Sequence, residues 1–291
     1  MAAFGLHFKG TFFLRADEQI RSLCGSFSDV FRDFYDRIRA PFSVAWHPHL
    51  FRWSESSGCW QQEYQDNEWM REMLTDCHDD LVSQGFRITS CKMGWCFHNN
   101  STITTLSDLS VDADFSALPG IRRPGRLING ISFQDRFDWS KTAAEPYHPN
   151  KCNYQKPGSL RILEIPLTTL ETTSLTEFLY SAKLALAAFQ RLDFSYLPSL
   201  RSATPLFLPN LRSTQSIREL CSILLSRREN NYITIYLHPS DLLDANRKMI
   251  LEEFLCQLVS TTNKQHGEIS FVNSLELYGF CKDNQTCVAQ A

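Results

Sequence analysis

The chain has 291 residues, of which 43% are hydrophobic and 12% aromatic, which is enough for a large core. The formal net charge of -3 gives no electrostatic reason to expect a nucleic acid partner. No apolar run approaches membrane-spanning length, and the first residues lack the apolar core of a signal peptide. The ten cysteines show no zinc-knuckle spacing, so mostly reduced thiols and a cytoplasmic location are expected.

Short β-rich runs alternate with amphipathic helical stretches along the chain. The predicted strands are residues 11–14, 42–46, 87–91, 109–111, 161–165, 232–237 and 268–272. The predicted helices are residues 29–39, 68–81, 174–192, 216–226 and 245–260, with capping signatures at Ser174 and Asp244. This alternation predicts an α/β fold with a mainly parallel sheet, either a barrel or an open doubly wound sheet.

The stretch at residues 119–158 is rich in Pro, Gly, Asn and Asp and is predicted to be a long irregular loop. Loops of that length in a compact domain are usually functional or mobile. No linker divides the chain, so one domain over residues 1–291 is expected.

Three histidines directly follow apolar β-runs. His47 and His49 follow FSVAW, and His238 follows YITIYL. Because the carboxyl ends of parallel strands and the loops after them build active sites in α/β folds, the three imidazoles are expected at one rim. Imidazole is a common ligand for zinc and for other divalent transition metals. The alternative is that a proline ends each strand and the histidines are ordinary rim residues.

Four segments in chain order resemble the polysaccharide deacetylase family, the NodB-homology group of metal-dependent carbohydrate esterases. They are GTFFL at residues 10–14, AWHPHLFRW at 45–53, KMGWCFHNNSTITTLSDLSVDADFSALPG at 92–120, and IYLHPSDLLD at 235–244. The resemblance implies a distorted seven-stranded (β/α) barrel. It also implies hydrolysis of N- or O-linked acetyl groups on a saccharide in polysaccharide metabolism.

The resemblance also implies roles for individual residues. His47 would bind a divalent metal, zinc or similar, His49 would be a second ligand or a neighbour of the site, and His238 would be the general acid. Lys92 stands where the family often has an arginine and would contact the substrate. Asp114, at a strand end, would bind metal or orient the catalytic histidine, whereas Asp112 is more simply interpreted as capping the next turn.

Aromatic residues in the groove-like segments are candidate sugar contacts. Trp95 and Trp139 offer flat faces, and Tyr147 lies beside His148. His98 and His148 are expected to contact substrate or to be plain loop residues. No oligomeric state is indicated.

The sequence departs from the family pattern in two places. GTFFL begins at residue 10, so the family's preceding strand and its acidic pair, which supply the base and a metal ligand, are not seen. Phe51 stands where the family motif has its second histidine. Asp17 follows the GTFFL strand, but its spacing does not single it out as a replacement base. Two interpretations stay open: an enzyme with a truncated start, or a catalytically impaired carbohydrate-binding relative.

Overall fold

A computed structural model describes residues 9–38, 42–128, 131–171, 203–205, 217–218, 221–222, 224–225, 232–264 and 268–288. The strands are β1 Gly10–Leu14, β2 Phe42–Trp46, β3 Phe51–Ser54, β4 Cys59–Gln62, β5 Ser90–Cys91, β6 Ala113–Asp114, β7 Arg122–Ile128, β8 Ile131–Asp138, β9 Pro149–Asn150, β10 Asn153–Pro157, β11 Leu163–Glu164, β12 Thr169–Glu171 and β13 Ala203–Pro205. The α-helices are α1 Glu18–Cys24, α2 Phe27–Arg37, α3 Asn67–Ser83, α4 Asn100–Asp108, α5 Pro239–Leu243, α6 Ala245–Lys264 and α7 Ser274–Val288.

A parallel sheet organises the described residues. Its five strands lie in the order β1-β2-β5-β6-β11, and every neighbouring pair in it is parallel. The predicted α/β fold with a parallel sheet is therefore confirmed. These five strands do not close on themselves among the described residues, and the seven-stranded barrel stays a prediction.

One predicted strand is misplaced because helix α4, which was not predicted, occupies the residues before it. Asn99 caps α4, accepting a hydrogen bond from the Thr102 backbone N–H, and the helix continues to Asp108. Leu109 therefore ends the helix, and Ser110 adopts a positive φ of 64°. The strand predicted at residues 109–111 begins instead at Ala113.

Three other predicted segments also differ from the structure. Residues 119–158 were expected to be irregular, but they contain the antiparallel pairs β7–β8 and β9–β10. Residues 232–237 and 268–272 form no strand element in the described part of the chain. Residues 174–192 and most of residues 216–226 lie outside the described residues.

Helix α3 covers one face of the sheet. Asp66 caps its first turn, and five apolar side chains on one stripe are buried: Met70, Met73, Leu74, Cys77 and Leu81. They pack in one cluster with Trp46 of β2, which is fully buried. Full burial of each such side chain stabilises the fold by about 1.5–3 kcal/mol, so this packing holds β2 and its carboxyl end in place. In the described part of the chain, no helix is both long and apolar enough to cross a membrane.

Candidate functional site

The five strands of the sheet end level with one another. Register pairs the last residues of adjacent strands in one row: Leu14, Trp46, Cys91, Asp114 and Glu164. The hydrogen-bond ladder continues for one further residue, because the His47 N–H donates to the Leu14 carbonyl and the Lys92 N–H to the Trp46 carbonyl. Successive side chains of a strand point to opposite faces, so this carboxyl edge presents two sets of side chains.

His47 has a fixed ring orientation. Its Nδ1–H donates to the backbone carbonyl of Lys92, which leaves Nε2 as the nitrogen with a free lone pair. Burial, followed by the positive charge of Lys92, lowers the pKa of His47 to about 3. The imidazole is therefore neutral at pH 7, the form that binds metals.

His49 lies beside His47, with ring centroids 4.9 Å apart. Its Nδ1 is buried and has no hydrogen-bond partner. Burial, followed by the repulsion that a protonated His47 would exert, lowers its pKa to about 2. The His49 ring stacks on the ring of Phe51, with centroids 5.2 Å apart. Phe51 therefore supports His49.

Gly94 approaches His49 so closely that no other residue fits there. A Cβ on Gly94 would lie 2.3 Å from His49 Cγ, well inside van der Waals contact. The Gly94 N–H also donates to the Pro48 carbonyl at 2.7 Å, which ties the two loops together. The loops after β2 and β5 therefore position His49 between them.

Asp17 supports the site without offering a free oxygen. Arg15 binds both of its carboxylate oxygens at 2.9 Å, and Oδ1 caps helix α1 by accepting from the Ile20 N–H. Oδ2 also accepts from the His49 backbone N–H at 3.2 Å. Sequence reasoning did not single out Asp17, although an Asp directly before an amphipathic stretch is an N-cap signature.

Lys92 and Trp95 form the next part of the edge. Lys92 is buried, with Nζ 3.3 Å from Cys96 Sγ and 5.1 Å from the Tyr236 ring centre. Trp95 is 40% exposed and lies 5.8 Å from the His49 ring. Its φ of 57° is in the left-handed region, which is strained for a bulky residue and is typical of functional loops.

His238 lies within electrostatic reach of the two imidazoles, because its charge contributes to lowering the pKa values of His47 and His49. Its side chain is 67% exposed, and its backbone N–H donates to Asp241 Oδ2 at 2.7 Å. Asp241 is buried and paired with Arg247. The buried carboxylate of Asp241, paired with the partly exposed Arg247, thus holds the start of α5, which carries His238.

The other predicted site residues lie elsewhere. Trp139 and Tyr147 are buried, and they donate to the carbonyls of Cys96 and Tyr154. Neither presents a free face to solvent. His148 lines a cavity of about 450 Å³ with Arg161 and Lys282, beside the start of β11 and away from the carboxyl edge.

Asp114 belongs to a second, fully buried group with His98 and Glu164. One ligand atom from each of the three lies within 4.8 Å of the others. Burial opposes ionisation of Asp114, but the His98 charge and hydrogen bonds from His98, Glu164 and Ser116 outweigh it and lower its pKa. Burial, followed by the Asp114 charge, raises the pKa of Glu164 well above its usual range. Sequence reasoning passed over Glu164, although it falls within a predicted strand.

No family model matches the chain, and no curated protein matches it. One solved structure that resembles it is from Mycobacterium smegmatis and is provisionally named a polysaccharide deacetylase. The two chains are 13% identical with a TM-score of 0.48, and the match covers 98% of this chain and 74% of the other. A likeness at this level carries no argument about function.

Proposed function

We propose that the chain is a metal-dependent hydrolase that removes N- or O-linked acetyl groups from a saccharide. One observation carries the proposal: the end of β2 presents two neutral imidazoles with unused ring nitrogens. The Lys92 carbonyl holds the His47 ring, and Nδ1 of His49 is a buried nitrogen without a partner. Both features fit a transition-metal ion, which requires neutral imidazole ligands held by a second contact.

In this proposal His47 and His49 hold the divalent ion, zinc or similar, which supplies Lewis-acid polarisation of the acyl carbonyl. His238 is exposed and carries the proton for the leaving amine or alkoxide, while Asp241 fixes the turn on which it sits. Trp95 offers its exposed ring to the sugar, and Lys92 contributes positive charge at the edge.

Asp114, Trp139 and Tyr147 enter this proposal as positioning residues, because all three are buried. Asp114 accepts from the Ser116 hydroxyl, which in turn accepts from the Met93 N–H next to Lys92. A single domain over residues 1–291, a seven-stranded barrel and a cytoplasmic location remain parts of the proposal. The free thiols of the described cysteines support that location.

A carbohydrate-binding relative without metal chemistry is the second candidate. The observation that favours it is the charge around the imidazoles: Arg15 and Lys92 both contribute to lowering the pKa of His47. Asp17, the buried carboxylate closest in sequence to β1, already has both oxygens in hydrogen bonds. Positive neighbours oppose a bound cation and favour a neutral or anionic ligand.

The two candidates differ in acetate release. The full chain, supplied with zinc, would be assayed on acetylated chitooligosaccharides and on acetylated xylan, with His47→Ala as the test variant. His148→Gln is the matched control, because that imidazole lies away from the carboxyl edge. Activity lost in His47→Ala and kept in the control supports the hydrolase. Binding of the saccharides without acetate release by the wild type supports the second candidate.

A further inference from the structure

We propose that His98, Asp114 and Glu164 form a second metal site, which binds a divalent transition-metal ion such as Zn²⁺ or Mn²⁺ and braces the loop after β5. It does not depend on the function proposed above. The site consists of one imidazole and two carboxylates, a donor set that suits these ions.

Strand register brings the two carboxylates together. Asp114 ends β6 and Glu164 ends β11, and the two residues are directly paired in adjacent parallel strands. Both are 0% exposed. Like charges directly opposite each other in a sheet are destabilising, and burial removes the water that would screen them. This pairing is therefore stable only when a proton or a bound cation neutralises one of the two carboxylates.

The hydrogen bonds of His98 direct Nε2 at the carboxylates. The Thr102 hydroxyl donates to the Asn99 carbonyl, so its oxygen accepts from His98 Nδ1–H at 2.9 Å. Nε2 then lies 3.2 Å from Asp114 Oδ2. An imidazole that donates one N–H to a fixed partner and turns its other nitrogen to carboxylates has the arrangement of a metal ligand.

Glu164 supplies an unused oxygen. Its Oε1 accepts from the Ala117 N–H at 2.9 Å, whereas Oε2 is buried and accepts from no donor group, and the Asp114 carboxyl group lies within hydrogen-bonding reach of Glu164. A buried acceptor without a donor destabilises the fold. A divalent ion would bind this oxygen and would balance the two carboxylates, giving a neutral group.

The site's surroundings indicate a structural ion. All three side chains are inaccessible to solvent, and structural metal sites are closed in this way. Asp114 Oδ1 accepts from the Ser116 hydroxyl, whose oxygen accepts from the Met93 N–H at 2.8 Å. An ion that fixes Asp114 therefore fixes the segment that also carries Lys92 and Gly94.

Metal content of the purified full chain tests the proposal, after dialysis against chelator and reloading with Zn²⁺. With both sites present, the wild type retains about two ions per chain, and His47→Ala and Glu164→Gln each retain about one. If only the buried site exists, wild type and His47→Ala retain about one and Glu164→Gln none. Failure of the function proposed above thus remains distinguishable from failure of this inference.

Glu164→Gln keeps the shape of the side chain, and its affinity for Zn²⁺ at the buried site should fall by about tenfold or more. Glu68→Gln, an exposed position on α3, is the control for loss of a carboxylate. Equal metal content in Glu164→Gln and wild type would overturn the proposal. The proposal would also be overturned if the wild type bound no ion at His98, Asp114 and Glu164. Protons alone would then neutralise the carboxylates.

A measurement on the His47→Ala chain alone covers the case in which Glu164→Gln does not fold. Co²⁺ bound by one imidazole and two carboxylates gives visible absorption bands, and binding displaces protons from the ligands, so affinity should rise with pH. The absence of Co²⁺ bands in folded His47→Ala would also overturn the proposal.

Discussion

The carboxyl edge of the sheet has two faces with opposite electrostatics. His47 and His49 are neutral imidazoles beside Arg15 and Lys92, close to the exposed ring of Trp95. The other group combines His98 with two carboxylates, and all of its side chains are inaccessible to solvent. The ends of different strands of one sheet thus build an accessible centre suited to a reaction and a closed centre suited to stability.

The largest expected effect is a difference in unfolding free energy between a variant of the buried group and a variant of the accessible centre. Asp114→Ala should lower the free energy of unfolding by about 3–5 kcal/mol, because it leaves buried His98 and Ser116 without their partner. His238→Ala, at a largely exposed side chain, should change it by less than about 0.5 kcal/mol. Urea unfolding followed by circular dichroism measures both. Similar losses in the two variants would contradict the comparison.

Stability should depend on pH through the accessible centre. The pKa values of His47 and His49 in the folded chain are about 3 and about 2, well below that of an unfolded histidine. The unfolded state therefore binds more protons below about pH 6.5, and stability is lost as the pH falls from there towards the folded pKa values. The slope is at most about 1.4 kcal/mol per pH unit for each imidazole.

The double variant His47→Gln, His49→Gln isolates this contribution. Its unfolding free energy should depend less on pH than that of the wild type between about pH 6.5 and pH 4. Denaturant unfolding at several pH values measures the slope. Identical slopes in the two proteins would show that these imidazoles are not held neutral by the fold.

Gly94→Ala should disturb the accessible centre with a smaller cost in stability. The new Cβ would lie 2.3 Å from His49 Cγ, so the ring must move, at a cost of about 1–3 kcal/mol. Acetate release should fall while the ion at His98, Asp114 and Glu164 is retained. Gly279→Ala, where the added Cβ has no neighbour within 4 Å, is the control and should be neutral or slightly stabilising. Unchanged activity in Gly94→Ala would contradict the placement of His49.

The smallest effect concerns thiol reactivity. Burial raises the pKa of Cys77 to about 12 and raises that of Cys91 well above its usual range, so neither forms thiolate at pH 8. Cys24 and Cys152 are exposed and should be alkylated first. Mass spectrometry of the iodoacetamide-treated native chain gives the order of labelling. Early modification of Cys91 would show that the region beside Asp114 is open to solvent.

The sequence located His47 and His49 at a strand end better than it located the group of His98, Asp114 and Glu164. A strand followed by histidines has a local signature, and β2 was predicted with its observed bounds at residues 42–46. The pairing of Asp114 with Glu164 depends on the register of strands about fifty residues apart, which no local pattern encodes. Short strands such as β5 and β6 have two residues each, too few for a periodic pattern. Helix α4 was not predicted, because its residues and its capping residue, Asn99, lay in the segment that resembles the family's groove-lining motif.

Crystallographic anomalous scattering from Zn²⁺ tests the central claim. The claim is that the carboxyl edge of the five-stranded sheet holds one metal site on each face of the sheet. The account predicts two anomalous peaks, one bound to His47 and His49 and one bound to His98, Asp114 and Glu164, at about 2.0–2.2 Å from each ligand atom. Anomalous peaks only at surface residues away from both groups would contradict it.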